Sequence, residues 1–149
     1  MTAESITTKD RINQVLEEIR VVVPGSQALL GFQLVALFST GFASLPEGIK
    51  EVHLVSLGFI ALATVFLMAP SAYHRIAYTG NSSPKVHLFA SRMLIIAMLF
   101  LLSGLATDIW VATYVVVGTA SAAWLASLAC FAIGALFWFL YPVLVLLRK

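Results

Sequence analysis

The chain is organised as long apolar runs separated by short polar breaks, not as single apolar and polar residues in alternation. Four runs stand out, at residues 27–45, 52–73, 92–115 and 120–147, each near or above the roughly 20 residues with which a helix crosses about 30 Å of hydrocarbon. Turn-forming residues fill the breaks: Leu-Pro-Glu-Gly at 45–48, Gly-Asn-Ser-Ser-Pro-Lys at 80–85, and the pair Gly118 and Thr119. The pattern predicts an all-α membrane protein, a bundle of four transmembrane helices with short connections.

Residues 1–23 read differently. Ile12, Val15, Leu16, Ile19 and Val23 recur at three- and four-residue steps while Arg11, Gln14, Glu17, Glu18 and Arg20 fall mainly elsewhere, the spacing of an amphipathic helix. This predicts a cytoplasmic N-terminal segment whose helix lies along the membrane surface or caps the bundle. Thr7 or Thr8 is placed to cap its start, and Pro24 with Gly25 to break or kink it, leaving 24–149 as the transmembrane domain. No apolar stretch follows a basic start in the first twenty residues, so no cleaved signal is expected.

The third run needs help to cross. Its uncharged part, from Met93 to Thr107, spans only about 22 Å at the helical rise. Arg92, Asp108 or both must therefore approach the hydrocarbon edge, and the helix is expected to continue past Asp108 to Val115. The second run tolerates Pro70 near its end, and the fourth is long enough to tilt or project from the bilayer.

Composition supports the same class. Apolar residues make up 60% of the chain and charged ones 11%, against about 25% charged in a soluble domain. A soluble globular enzyme is thereby excluded. The net charge of +2 is small and its basic residues scattered, so nucleic acid is not an expected partner. Cys130 is the single cysteine, which excludes an intrachain disulfide and a four-cysteine zinc site.

Charge also orients the spans. Lys9, Arg11 and Arg20 precede the first, Arg75, Lys85 and Arg92 surround the middle connection, and Arg148 and Lys149 end the chain, whereas the other two connections hold only Lys50. The positive-inside rule then places both termini in the cytoplasm. Trp110 and Trp124 fall toward the outer interface and Tyr73, Tyr78 and Tyr141 toward the inner one, as aromatic belts do. No internal repeat is evident, so a transporter built from inverted repeats within one chain is unsupported.

Few residues carry candidate chemistry. Asp108 stands out, because an acidic side chain within a span is costly and by default a functional candidate. It reads either as a cation or proton site with Thr107, Ser103 and Gln33 as neighbours, or as an anchor that reaches headgroups beside Trp110 or pairs with Lys50. Gln33, midway along the first run, is expected to bond across helices. Arg20, His74, Arg75, His87 and Arg92 form an inner basic cluster that either rings a pore mouth or fixes topology against anionic lipid headgroups. A haem held by two histidines does not fit, since His53 lies at the outer end and His74 and His87 beside one loop. Gly118, Ala122, Ala126, Cys130 and Gly134 place a small residue at every fourth position, with Thr119, Ala123 and Ser127 alongside, a packing face for another helix of this chain or of a second copy. Metalloprotease, hydrolase-elbow and phosphate-loop motifs are absent from the sequence, so no catalytic residue, metal or cofactor is expected.

Three segments in order, EEIRVVVPGSQALLGFQ at 17–33, APSAYHR at 69–75 and SRMLIIAMLFLLSGLATDIW at 91–110, resemble a family of small bacterial four-helix integral membrane proteins of unknown function. The family resemblance rests on a Glu-x-x-Arg-Val start, a Gly-x-Gln before the first span, an Ala-Pro-x-x-x-His-Arg end to the second, and an acidic residue late in the third. Its motif positions are Arg20, Gly25, Gln27, Pro70, His74, Arg75 and Asp108. The resemblance implies a multi-pass protein of the bacterial inner membrane, and some members carry an automatic sodium:proton antiporter label. Together these readings give two expectations: a homo-oligomer that passes or exchanges a proton or monovalent cation, or a non-transporting scaffold or accessory subunit of a larger membrane complex.

Overall fold

The computed structural model describes residues 8–77 and 84–148. Six α-helices follow one another among them: α1 Thr8–Leu37, the single turn α2 Thr40–Ala43, α3 Glu47–Ala77, α4 Pro84–Val117, α5 Ala120–Ala135 and α6 Tyr141–Leu147. A π-helical stretch, Leu136–Leu140, joins α5 to α6. Four helical segments are long and apolar enough to cross a membrane, Asn13–Leu37, Glu47–Ala77, Pro84–Val117 and Ala120–Leu147. The protein is thus an all-helical, multi-pass membrane bundle.

The N-terminal helix and the first span are one element. α1 runs through Pro24, starts at Thr8 and ends at Leu37, so of the break or kink expected at Pro24 and Gly25 the break does not occur, and the span does not reach residue 45. Thr8 is already helical, and Thr7 lies outside the described residues. Proline removes one backbone donor, leaving the Arg20 carbonyl without its usual partner, a loss that a packed helix tolerates in the membrane. The packing is visible: Val15 and Ile19 are buried against Ala90 of α4, with Val23 and Leu94 beside them. Of the two expectations for this apolar stripe, the membrane surface or a cap on the bundle, the contact with α4 favours packing on the bundle.

α3 and α4 resolve the problem of the short third run by length. With 31 and 34 residues they extend about 46 and 51 Å at the helical rise, well beyond the hydrocarbon. Arg92 and Asp108 accordingly ride on a helix that begins eight residues before Arg92 and continues to Val117. These two helices form the central contact, with Ile60, Ala63 and Leu101 in the buried core and Ala97, Leu102 and Ala106 also buried. α1 packs across both, and Ser26 and Thr64 meet where α1 crosses α3. Tyr78 and the Gly-Asn-Ser-Ser part of the basic connection lie outside the described residues, as does Lys149.

The fourth span is peripheral. α5 contacts α4, and its two buried residues are Ala123 and Ser127. Farther along, Gly134 faces Leu102, and a Cβ there would come within 3.2 Å of Leu102 Cδ2. Gly118, at the other end of the small-residue row, is exposed and turns the chain with φ +77°, a left-handed conformation that suits glycine. Pro142 explains the π-helical stretch before it: its ring would crowd the carbonyl four residues back, and a widened turn relieves that clash.

Candidate functional site

The bundle brings three polar side chains from three helices to one point. Gln33 lies in the last turns of α1, near the helix end and not midway along its span; Ser56 lies in the third turn of α3, and Asp108 on α4 nine residues before its end. Antiparallel neighbours place the end of α1 and of α4 beside the start of α3. Gln33 Nε2 donates to Ser56 Oγ at 2.9 Å and lies 2.8 and 2.7 Å from the two carboxylate oxygens of Asp108. Ser56 Oγ is 2.6 Å from Asp108 Oδ1 and 2.9 Å from the Gly104 carbonyl, so its single proton has two acceptors within reach. Gly104 makes this approach possible, because a Cβ on it would lie 2.8 Å from Ile60 Cγ1.

The amide orientation follows from charge. Turned the other way, Gln33 would set its carbonyl oxygen against an ionised carboxylate, which is repulsive; turned this way, both its N–H groups are used. The consequence is that Gln33 Oε1 is buried with no hydrogen-bond partner. Unpaired buried acceptors are uncommon in folded proteins. His53, one turn before Ser56, reaches back to the Gln33 backbone carbonyl at 3.3 Å and meets the ring of Phe42 edge-on at 5.1 Å.

Asp108 does not have the neighbours read from the sequence, apart from Gln33. Thr107 and Ser103 donate to carbonyls one turn back on their own helix, of Ser103 and Leu99. Lys50 pairs with Glu47 at 2.9 Å, and no cationic side chain bonds to Asp108 among the described residues. Nor does Asp108 side with Trp110, whose ring stacks on Tyr114 and meets Trp124 edge-on. Ser56 was not singled out in the sequence, where it is one hydroxyl among several in apolar stretches.

Beside this cluster is a cavity of about 510 Å³ between the ends of α1 and α4, bounded at one side by α2. Its wall is mostly Leu, Phe, Val and Ala, with Gln33, His53 and Asp108 contributing the ionisable and amide groups. Pockets of this size and character take drug-sized organic molecules.

At the opposite end of the bundle, Arg20 of α1 and Arg75 of α3 line a second groove of about 490 Å³, whose floor includes Ile19, Val23, Leu67 and Met68. Of the inner basic cluster, these two are brought together; His74, His87 and Arg92 lie outside the groove. Both guanidinium groups are exposed and neither is paired with a carboxylate among the described residues. Cys130 is half-buried on the fourth span, away from the polar cluster. No set of three metal-ligating side chains gathers among the described residues.

No curated protein and no solved structure matches the chain. A family match does, covering residues 4–142 and so the polar cluster, its cavity and the basic groove together. The chain belongs to a family of unknown function, DUF6328.

Proposed function

We propose that this membrane protein passes or exchanges a small cation, a proton or a monovalent ion, with Asp108 as the exchanging group. The observation that carries the reading is a carboxylate within a span that is held in place by Gln33 and Ser56, has no cationic partner among the described residues, and lines a cavity. A carboxylate removed from water is stabilised by a counter-ion or a proton, and alternation between the two is the elementary step of exchange. Gln33 and Ser56 keep the carboxylate oriented while its occupant changes. The protein on this reading is a transport protein without catalytic residues, in the bacterial inner membrane with both termini cytoplasmic. It works as a homo-oligomer, joined through the half-buried Ala122 and Ala126 that flank the α4 contact. At the cytoplasmic end, Arg20 and Arg75 bind the phosphate of an anionic lipid whose chain lies in the apolar groove.

Purified protein in liposomes tests the central claim. Wild type should carry protons, sodium or potassium down an imposed gradient above the leak of empty liposomes, and Asp108→Asn should lose most of that flux while remaining folded. Wild-type flux at the empty-liposome level, in both gradient directions, transfers support to the second reading. That reading is a scaffold or accessory subunit of a membrane complex, favoured by the exposed outer face of the fourth span.

A further inference from the structure

We infer that the cavity beside Asp108 is a binding site for a lipophilic organic ammonium ion, so that the cation handled there is an amine and not a bare alkali ion. This rests on the reading of Asp108 as a cation-exchanging group and names its substrate class.

The argument is one of matching donors and walls. A sodium or potassium ion stripped of water needs a shell of oxygens to replace its hydration, as rings of carbonyls supply in channels. Here the polar oxygens bordering the cavity are few. The Asp108 carboxylate already accepts from Gln33 and Ser56, Gln33 Oε1 is buried out of reach, and the Ser39 hydroxyl is engaged with the Ala36 carbonyl. The remaining wall is hydrocarbon and aromatic, a poor cage for a small ion.

An ammonium group makes smaller demands. It has up to three N–H donors and a single charge. Asp108 offers the complementary charge at the cavity wall. Phe32 and Phe42 border the same space and present rings to a cation or to an apolar body. The volume of about 510 Å³ far exceeds what an ion or a proton requires and suits an aryl or alkyl body attached to that charge. Exchange then balances simply: a proton arriving at the carboxylate neutralises it and releases the ammonium, and loss of that proton restores the site.

Dansylcadaverine, a primary ammonium on a fluorescent aryl body, is a suitable probe, with binding read by emission shift and anisotropy on purified protein in detergent. Saturable binding to wild type is expected, weakened at least tenfold in Asp108→Asn and in Ala112→Trp. The second variant leaves the carboxylate intact and fills the cavity from the same helix, one turn on, so it guards against loss of fold in the first. Excess sodium or potassium should leave the binding unchanged, and tetraphenylphosphonium, a lipophilic cation without N–H, should bind at least tenfold more weakly than the amine. Absence of saturable binding to wild type, or equal binding by both variants, would overturn the inference, as would tetraphenylphosphonium binding as tightly as the amine. Proton, sodium or potassium flux that depends on Asp108 in a protein that binds no amine would sink the amine site and leave ion passage standing. Amine binding without flux of any cation would do the reverse.

Discussion

The contact between Gln33 and Asp108 is open to a double-mutant cycle whose size reports how strongly this bond ties α1 to α4. Replacing Gln33 with Leu removes the N–H that lies 2.8 and 2.7 Å from the two carboxylate oxygens, and replacing Asp108 with Leu removes the acceptor. Hydrogen bonds between helices in membranes average about 0.6 kcal/mol and reach about 1.7, because the unfolded chain in lipid also finds partners. Bonds to a charged group run about 1.5–3 kcal/mol. Gln33 Nε2 meets both oxygens of the carboxylate, so a coupling of about 2 kcal/mol is expected. Reversible unfolding of wild type, the two single variants and the double variant in mixed detergent micelles measures it. A coupling near 0.6 kcal/mol would mean that the bond is no stronger than an ordinary one between membrane helices. Single-variant effects that simply add would refute the contact itself and, with it, the assembly of the site.

Other consequences are directly measurable. Gly104→Ala and Gly134→Ala each drive a Cβ into a fully buried side chain, Ile60 and Leu102 respectively, and each should destabilise by about 1–3 kcal/mol in thermal unfolding; a variant as stable as wild type would refute the close packing at that glycine. Ala123→Leu should lower thermal stability more than Ala126→Leu, because Ala123 is wholly buried against α4 and Ala126 only half-buried, while Ala126→Leu should shift the oligomer toward monomer in light scattering. Phosphatidylglycerol should raise the melting temperature of wild type more than phosphatidylcholine does, and Arg20→Gln with Arg75→Gln should remove that difference; an unchanged difference would show that the lipid acts elsewhere.

Much of the architecture was legible because hydrocarbon imposes a length. Four apolar runs gave four crossing helices, and the fourth, 120–147, has the bounds that its run predicts. At Pro24 the sequence allowed a break or a kink, and only packing decides against the break: Val15 and Ile19 pack on Ala90 and the helix continues through it. At the site, Gln33 and Asp108 announced themselves by being polar within a span, where the cost of burial makes each demand a partner. Ser56 did not. Serine and threonine in a membrane helix can satisfy themselves on their own backbone, as Ser103, Thr107 and Thr64 do here, so a hydroxyl that crosses to another helix is indistinguishable in sequence from one that does not.

The small-residue row of the fourth span shows a different limit, one of helical arithmetic. At 3.6 residues per turn each residue advances about 100°, so a step of four overshoots a full turn by about 40° and a row of five such residues drifts by about 160°. Gly118, Ala122, Ala126, Cys130 and Gly134 therefore cannot all face one straight neighbour. Gly118 is exposed at one end of the row and Gly134 meets Leu102 at the other, which is the drift made visible. Contact with α4 instead follows Ala123, Ser127, Cys130 and Gly134, whose mixed steps of four and three stay within one face. The members that drift off this seam, Ala122 and Ala126 among them, border the outer apolar face that carries Leu125 and Leu128. A neighbouring helix able to approach closely would meet small residues there, while Asp108 and its cavity are built from α1, α2, α3 and α4 and are complete without the fourth span. On the proposed reading, assembly and cation binding fall on separate faces of the molecule, so a variant that dissociates an oligomer through Ala126 should leave the carboxylate, its two tethers and the cavity as they are.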